Sequence, residues 1–507
     1  MRRAIAALLL AAPGTVAAQS EPVRVTSAGP QRVAVTVYRN PWRQRDAAIH
    51  LDDLQGFALI TETRTVRLPK GPAVLRFEGV AEGIVPVSAI VDGLPGGTIE
   101  KNRDARLLSP AALIDGTLGR SVTLTRTDRA TGRRRSEAAT IVAGPADGVV
   151  LKTASGIETL RCSGLPEGVT FAGVPRGLSA KPVLSVATDT PTARTATITL
   201  SYLASGFDWS ASYVATLAPG GQTLDLFAWA TLANGNPETF VGADVKVVAG
   251  RLNRQDVGWW RQRAAGLELK CFPLGTTTSD LELPDAPSVQ DGEDIVVTGA
   301  RMMVAFAPPP PPPAPIAPPP PPEDLGDLKL YRVPRAVTVA PRAQKQVALL
   351  TASNVPFERR YRRRVRAGEV LAAAPTDVVL VVRNRTETRL GMPLPSGTTA
   401  LYAIAPARGT RLLLGTGALR DRAIGETLRI AAGESAQVLV AQQRNTPKEA
   451  VLTVSNANPF AVVVELPIGA SGQAIEAAKG ALVEVDGIRT WQVTLAAHGT
   501  ASMTYRY

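Results

Sequence analysis

Apolar and polar residues alternate with a period of two along most of the chain. In RTATITLSYLAS, Ala196, Ile198, Leu200 and Tyr202 alternate with Thr197, Thr199 and Ser201, which predicts a strand buried on one face. VRLPKGPAVLRFEGV reads as a hairpin that turns at Pro69-Lys70-Gly71, with Leu75 and Phe77 facing inward and Arg76 and Glu78 outward. AVLTVSNANPFAVVVELP repeats the design around Asn456-Ala457-Asn458-Pro459, and WQVTLAAHGTASMTYRY predicts a closing hairpin with His498 in its turn. Helical spacing is scarce. SPAALIDGTLG is the best short helix, with Ser109 as N-cap and Pro110 in the first turn. The pattern predicts a mainly β protein with several β-sandwich-like domains.

The grain changes along the chain. Residues 19–104 are expected to form an N-terminal β region. In 105–162 the short strands RSVTLTR, EAATIVAG, DGVVLKT and GIETLR follow the helix closely, which predicts a small SH3-like barrel. Longer strands return over 163–285, as a β-sandwich needs. Residues 286–324 read as a disordered, proline-rich insertion: 12 of the 15 residues from Pro308 to Pro322 are proline, a polyproline II spacer of roughly 45 Å. Strands resume over 325–507 as a C-terminal β region.

The first residues carry an address. Arg2 and Arg3 precede an apolar run from Ala4 to Ala12, followed by Pro13-Gly14 and Val16-Ala17-Ala18. Basic, apolar, then small is the order of a secretory signal peptide, expected to be cleaved after Ala18 (1–18 removed). No later segment offers ~20 consecutive apolar residues, so no transmembrane helix is expected in the mature chain. In a bacterium with two membranes such a protein resides in the periplasm. The formal charge of +12 falls to +10 once Arg2 and Arg3 leave. Outside the cytoplasm that charge points away from nucleic acid and toward envelope polyanions, or toward solubility alone. Cys162 and Cys271 are the two cysteines. In an oxidising compartment they either pair, stabilising by up to ~4 kcal/mol, or stay as buried thiols.

Parts for catalysis are scarce. The two histidines are His50, beside Asp52 and Asp53, and His498. His50 has no second His or Cys at ligand spacing, so a solvated surface is the plainer reading than a metal site. The sequence has no G-x-S-x-G, H-E-x-x-H or Walker loop, and GTGALR from Gly415 falls short of a dinucleotide fingerprint. No catalytic residue, metal or cofactor is therefore assigned. Two clusters rise above this background. In RRYRRRVR a strand would put Arg360, Arg362, Arg364 and Arg366 on one face and Tyr361 and Val365 on the other. Four arginines about 7 Å apart repel unless water or an anion screens them, so this is either an anion site or an edge strand charged against aggregation. In VGWWRQR, Trp259 and Trp260 precede Arg261 and Arg263, one ring available for core and one for stacking on a sugar.

Several phrases together resemble a bacterial family of exported proteins. They are SYLASGFDWSASYVATL (201–217), LDLFAWATLANGNPETFVGADVKVVAGRLNR (224–254), LGDLKLYRVPRAVTVAPRAQKQVALL (325–350), RLGMPLPSGTTALY (389–402) and the closing WQVTLAAHGTASMTYRY. They resemble the domain of unknown function of the DUF 4139 type, in mucoidy-inhibitor-A-like proteins, over about residues 55–507. Relatives often carry a long coiled coil, which has no heptads here, so the likeness is to a coiled-coil-free branch. The resemblance implies a β-rich envelope protein without an established activity. EDIVVTGAR departs from that family and is similar to the segment before the plug domain of TonB-dependent receptors. The expectation is a non-enzymatic periplasmic protein that binds or scaffolds, through envelope polyanions or another envelope protein. The rivals are an enzyme on envelope polysaccharide, which needs carboxylates converging in a cleft, and an accessory to outer-membrane transport through residues 294–301.

Overall fold

The computed structural model describes residues 22–104, 107–128, 130–144, 148–160, 168–175, 178–219, 221–250, 252, 321–405, 409–478 and 481–507. Ala18, Cys162, Cys271, Trp259, Trp260, the 294–301 peptide and nearly all of the proline rod lie outside those residues. What is described is mainly β, in four sheets.

Sixteen strands build the frame. The first eight are β1 (Arg32–Tyr38), β2 (Gly56–Leu68), β3 (Arg194–Leu217), β4 (Thr223–Asn234), β5 (Phe240–Ala249), β6 (Glu323–Leu325), β7 (Leu328–Arg332) and β8 (Ala343–Pro356). They pair in the order β6-β7-β5-β1-β2-β3-β4-β8. The next eight are β9 (Glu358–Arg362), β10 (Leu371–Arg383), β11 (Thr427–Thr446), β12 (Glu449–Asn456), β13 (Val462–Pro467), β14 (Leu482–Val485), β15 (Ile488–Leu495) and β16 (Thr500–Arg506). Their order is β14-β15-β13-β9-β10-β11-β12-β16, the same path shifted by eight. Directions repeat too: β5 joins β1 in parallel and β13 joins β9 in parallel, while the other neighbours on both paths are antiparallel. The second half of the chain therefore repeats the topology of the first. The expected division into separate 19–104, 163–285 and 325–507 regions gives way to this one, because β1 and β2 lie beside β3 and β5, and β6 to β8 complete the same sheet.

The repeat reaches individual hydrogen bonds. Between β4 and β5, Asn234 Nδ2 donates to the carbonyls of Glu238 (3.0 Å) and Ala340 (3.1 Å), and Asn234 Oδ1 accepts from the Asn236 amide (3.0 Å). Between β12 and β13, Asn456 Nδ2 donates to Phe460 and Ala496 (both 2.9 Å), and Asn456 Oδ1 accepts from the Asn458 amide (3.0 Å). Opposite each turn stands a left-handed residue, Arg342 (φ 44°) and His498 (φ 55°), whose amide donates to Asn236 and Asn458 respectively, each at 3.2 Å. His498 is thus a turn residue of the second copy, equivalent to Arg342.

These turns are arches rather than hairpins. β12 pairs with β11 and β16, whereas β13 pairs with β9 and β15. β15 and β16 likewise pair with other strands and not with each other. The expected hairpin at 66–80 fails in the same way: β2 pairs with β1 and β3, and Gly71–Glu78 pairs with Val23–Thr26 and Val183–Thr190. An arch carries its two strands into facing layers, so their inward residues pack on each other. Leu75 and Phe77 are fully buried as the alternation predicts, and so are Ile198, Leu200 and Tyr202.

Two insertions interrupt the repeats at the same place, between the second and third strands of each. In the second it is a ribbon, Gly397–Ile404 with Arg411–Leu419. In the first it spans 69–193 and contains the predicted helix α1 (Pro110–Gly116), whose Ser109 Oγ accepts from the Ala112 amide at 3.1 Å. Five short strands after α1 form a sheet of their own around Ile114, Val122, Leu124, Ile141 and Leu151. In chain order the first strand lies between the second and the fifth, and the fifth (Gly168–Thr170) falls beyond the expected boundary at 162.

Candidate functional site

The first arch differs from the second in what its side chains hold. Asn236 Oδ1 accepts from the Gly83 amide at 2.7 Å, and Asn236 Nδ2 donates to Ser205 at 3.0 Å. Gly206 (φ 79°) sits in the register shift of β3 between Ser205 and Phe207, and a Cβ there would stand 3.0 Å from Asn236 Nδ2. Glu238 takes the place of Phe460 and its Oε2 accepts from the Glu82 amide at 2.9 Å. The arch thus grips residues 82–83 at the root of the large insertion.

A cleft of about 1140 Å³ opens at this junction. Asp52 comes from the β1–β2 loop, Glu82 from the loop after Gly71–Glu78, and Glu238 from the arch. Lys181 precedes Val183–Thr190, and Arg342 is the left-handed residue before β8. Leu51, Leu107, Leu108, Pro182, Pro237 and Val241 supply apolar wall between these charges. Val241 is 71% exposed. Behind the cleft, Arg103 donates from Nη2 to the Glu82 carbonyl.

Burial raises the Glu238 carboxyl to about 7; the Glu82 amide and the Arg103 charge oppose this, and the Glu82 charge adds to it. A group so placed exchanges a proton near neutral pH. Because the native state holds that proton between about 4.5 and 7 and the unfolded chain does not, stability falls as pH rises through this window. The span corresponds to about 3 kcal/mol as an order of magnitude. Chemical denaturation at pH 5 and pH 8 should show this loss in the wild type and a clearly smaller one in Glu238→Gln. Equal pH dependence in both proteins would refute it.

The arginine cluster folds differently from a single charged face. β9 ends at Arg362, with Tyr361 and Val365 buried as expected. Arg360 Nη1 and Arg362 Nε reach the carboxylate of Glu465 at 3.4 and 3.2 Å, and Arg429 stands 3.7 Å from it. Glu465 is 1% exposed. Glu358 and Asp486 add outer partners to Arg360 (2.7 Å) and Arg429 (2.8 Å). The screening anion is therefore part of the chain. Arg364 donates to the Gly469 carbonyl at 3.1 and 2.9 Å, and Arg366 projects into solvent, 4.0 Å from Glu369. The structure brings Arg360 and Arg362 together and leaves Arg364 and Arg366 apart from them.

His50 is exposed, while Asp52 two residues on lines the cleft. Neither Glu238 nor Glu82 sits in a sequence motif; the one signal that points to Glu238 is the doubled Asn-x-Asn-Pro, in which one copy continues with Glu and the other with Phe. No helix among the described residues is long and apolar enough to cross a membrane, and they contain no group of three or more His, Cys, Asp or Glu able to hold a metal ion. No family model matches the chain, and no curated protein matches it.

Proposed function

We propose that this is an exported, periplasmic scaffold that binds a peptide segment of another envelope protein in the cleft between its first repeat and the large insertion. The cleft carries this reading: aliphatic wall from Leu51, Leu107, Leu108 and Val241 alternates with Asp52, Glu82, Lys181 and Arg342. That mixture suits side chains and backbone of a peptide, and the described lining offers no aromatic ring for a sugar to stack on. The order of residues 1–18 supports export, and the resemblance of the phrases at 201–217, 224–254, 325–350 and 389–402 to mucoidy-inhibitor-A-like proteins favours an envelope role.

The test is a photo-crosslinking residue at Val241 in intact cells, with the exposed Val483 on β14 as control. A discrete partner should crosslink from position 241 alone. Its purified form should then bind at least tenfold more weakly to Val241→Asp combined with Lys181→Glu. Crosslinks that are equal at both positions, or a partner indifferent to the double substitution, would overturn the reading. A second reading, hydrolysis of envelope polysaccharide, rests on Glu238 as an acid near neutral pH. It requires release of reducing ends that disappears in Glu238→Gln.

A further inference from the structure

The ribbon inserted in the second repeat ends in a surface that the fold leaves uncovered. Its first strand, Gly397–Ile404, runs parallel to β3 from Ala211 opposite Gly397 to Thr216 opposite Tyr402. Beyond Tyr402 the ribbon outruns β3, which ends at Leu217. The second strand, Arg411–Leu419, lies against β11 at its base, where a Cβ on Gly415 would stand 2.9 Å from the Ala431 carbonyl oxygen. Immediately outside that contact come three leucines in a row. Leu412 is 52% exposed, Leu413 57% and Leu414 38%, and Ile404 across the ribbon is 41% exposed.

Leu412 and Leu413 are consecutive in a regular stretch of strand, so they point to opposite faces. Leu414 is the extra residue where the register shifts between the Leu401 and Tyr402 pairs. A groove on a protein covers one face of a ribbon. Aliphatic side chains exposed on both faces are covered together by a medium that surrounds the ribbon. Arg411 is exposed beside them, and the chain stays strongly basic, +12 in full and +10 without Arg2 and Arg3. Cationic and aliphatic groups together match the boundary between anionic headgroups and acyl chains. Among the described residues the second strand's one ladder partner is the first, and a shallow depth lets the backbone groups on its other edge keep hydrogen bonds to water at the headgroup level.

We infer that the tip of this ribbon, Ile404 with Arg411 to Leu414, is a shallow anchor for a phospholipid surface carrying anionic headgroups. The inference stands apart from the cleft and does not depend on what the cleft binds. The full chain should float with vesicles of phosphatidylglycerol and phosphatidylcholine, and far less with phosphatidylcholine alone. Leu412→Ser, Leu413→Ser and Leu414→Ser together should reduce partitioning at least tenfold while leaving the thermal midpoint nearly unchanged, since exposed substitutions seldom alter stability. Arg411→Glu should weaken binding and flatten its salt dependence. Absence of flotation by the wild type would overturn the inference, as would equal flotation by the triple variant. Loss of flotation in Arg364→Ser with Arg366→Ser, with none in the triple variant, would transfer the site to the other arginines and also overturn it. A wild-type dimer abolished by the triple variant, without vesicle binding, would identify a second copy of the chain as the occupant instead.

Discussion

Arg64→Ala should destabilise the protein by about 3 to 5 kcal/mol, because it leaves a buried carboxylate without its counter-charge. Arg64 is fully buried on β2, and Glu62, two residues earlier on the same face, is 1% exposed. Arg64 Nε and Nη2 donate to Glu62 Oε2 at 2.8 and 2.6 Å. Arg64 Nη1 donates to Ser27 Oγ at 2.9 Å and to the Glu78 carbonyl at 3.0 Å. The other carboxylate oxygen, Glu62 Oε1, accepts from the Tyr202 hydroxyl at 2.8 Å, and that hydroxyl accepts from the Ala81 amide at 3.1 Å. Burial, reinforced by the Glu62 charge, pushes the Tyr202 phenol well above its ordinary range and keeps it a donor. One guanidinium thus joins β2, the segment after Val23–Thr26 and the end of Gly71–Glu78. Replacing the whole set with Glu62→Leu, Arg64→Met and Tyr202→Phe should cost clearly less than Arg64→Ala, because no charge is then stranded. Denaturant titration of the two proteins decides the matter. A triple variant as unstable as Arg64→Ala would show that the hydrogen bonds, rather than the stranded charge, set the cost.

That network explains one limit of reading the sequence. Alternation located β3 and the strands around 451–467 and 491–507 but only the last residues of β2, because in ITETRTVRL the charged Glu62 and Arg64 share parity with Ile60, Val66 and Leu68, so the buried face is polar at its centre. Hydropathy alone gives those positions to solvent. A second limit concerns partners. Strands joined by a short turn show the same alternation whether they pair edge to edge or face each other across a core, so three arches read as hairpins. The doubled Asn-x-Asn-Pro did hold the answer. A turn whose asparagine bridges a carbonyl of its own turn and one far along the chain, as Asn456 does with Phe460 and Ala496, serves an arch and not a two-strand ladder. Only Ser109 and Pro110 fixed a helix by local chemistry, and α1 begins at Pro110 with Ser109 as its N-cap. The cleft was not legible at all, because Asp52, Glu82, Lys181, Glu238 and Arg342 come from five separate connections.

Glu465→Gln should cost about 3 to 5 kcal/mol, by the same rule applied with the signs exchanged. Here the stranded charges are cations. Arg360, Arg362 and Arg429 converge on the buried carboxylate, with side chains 19%, 28% and 17% exposed, and the substituted amide turns a donor group toward them. Glu358 and Asp486 remain, but each is more than half exposed and reaches one arginine only: Arg360 and Arg429 respectively. Arg362 is therefore the residue left worst off. Two consequences separate this account from a simple packing defect. Arg362→Ser introduced into Glu465→Gln should restore part of the stability, although Arg362→Ser alone should lower it. Sulfate should also stabilise Glu465→Gln more than it stabilises the wild type, since an outside anion then has an opening beside uncompensated guanidiniums. Urea midpoints with and without sulfate measure both effects. A loss under about 1 kcal/mol for Glu465→Gln, or no recovery when Arg362 is removed, would mean that solvent already neutralises the three arginines and that Glu465 is a bystander among them.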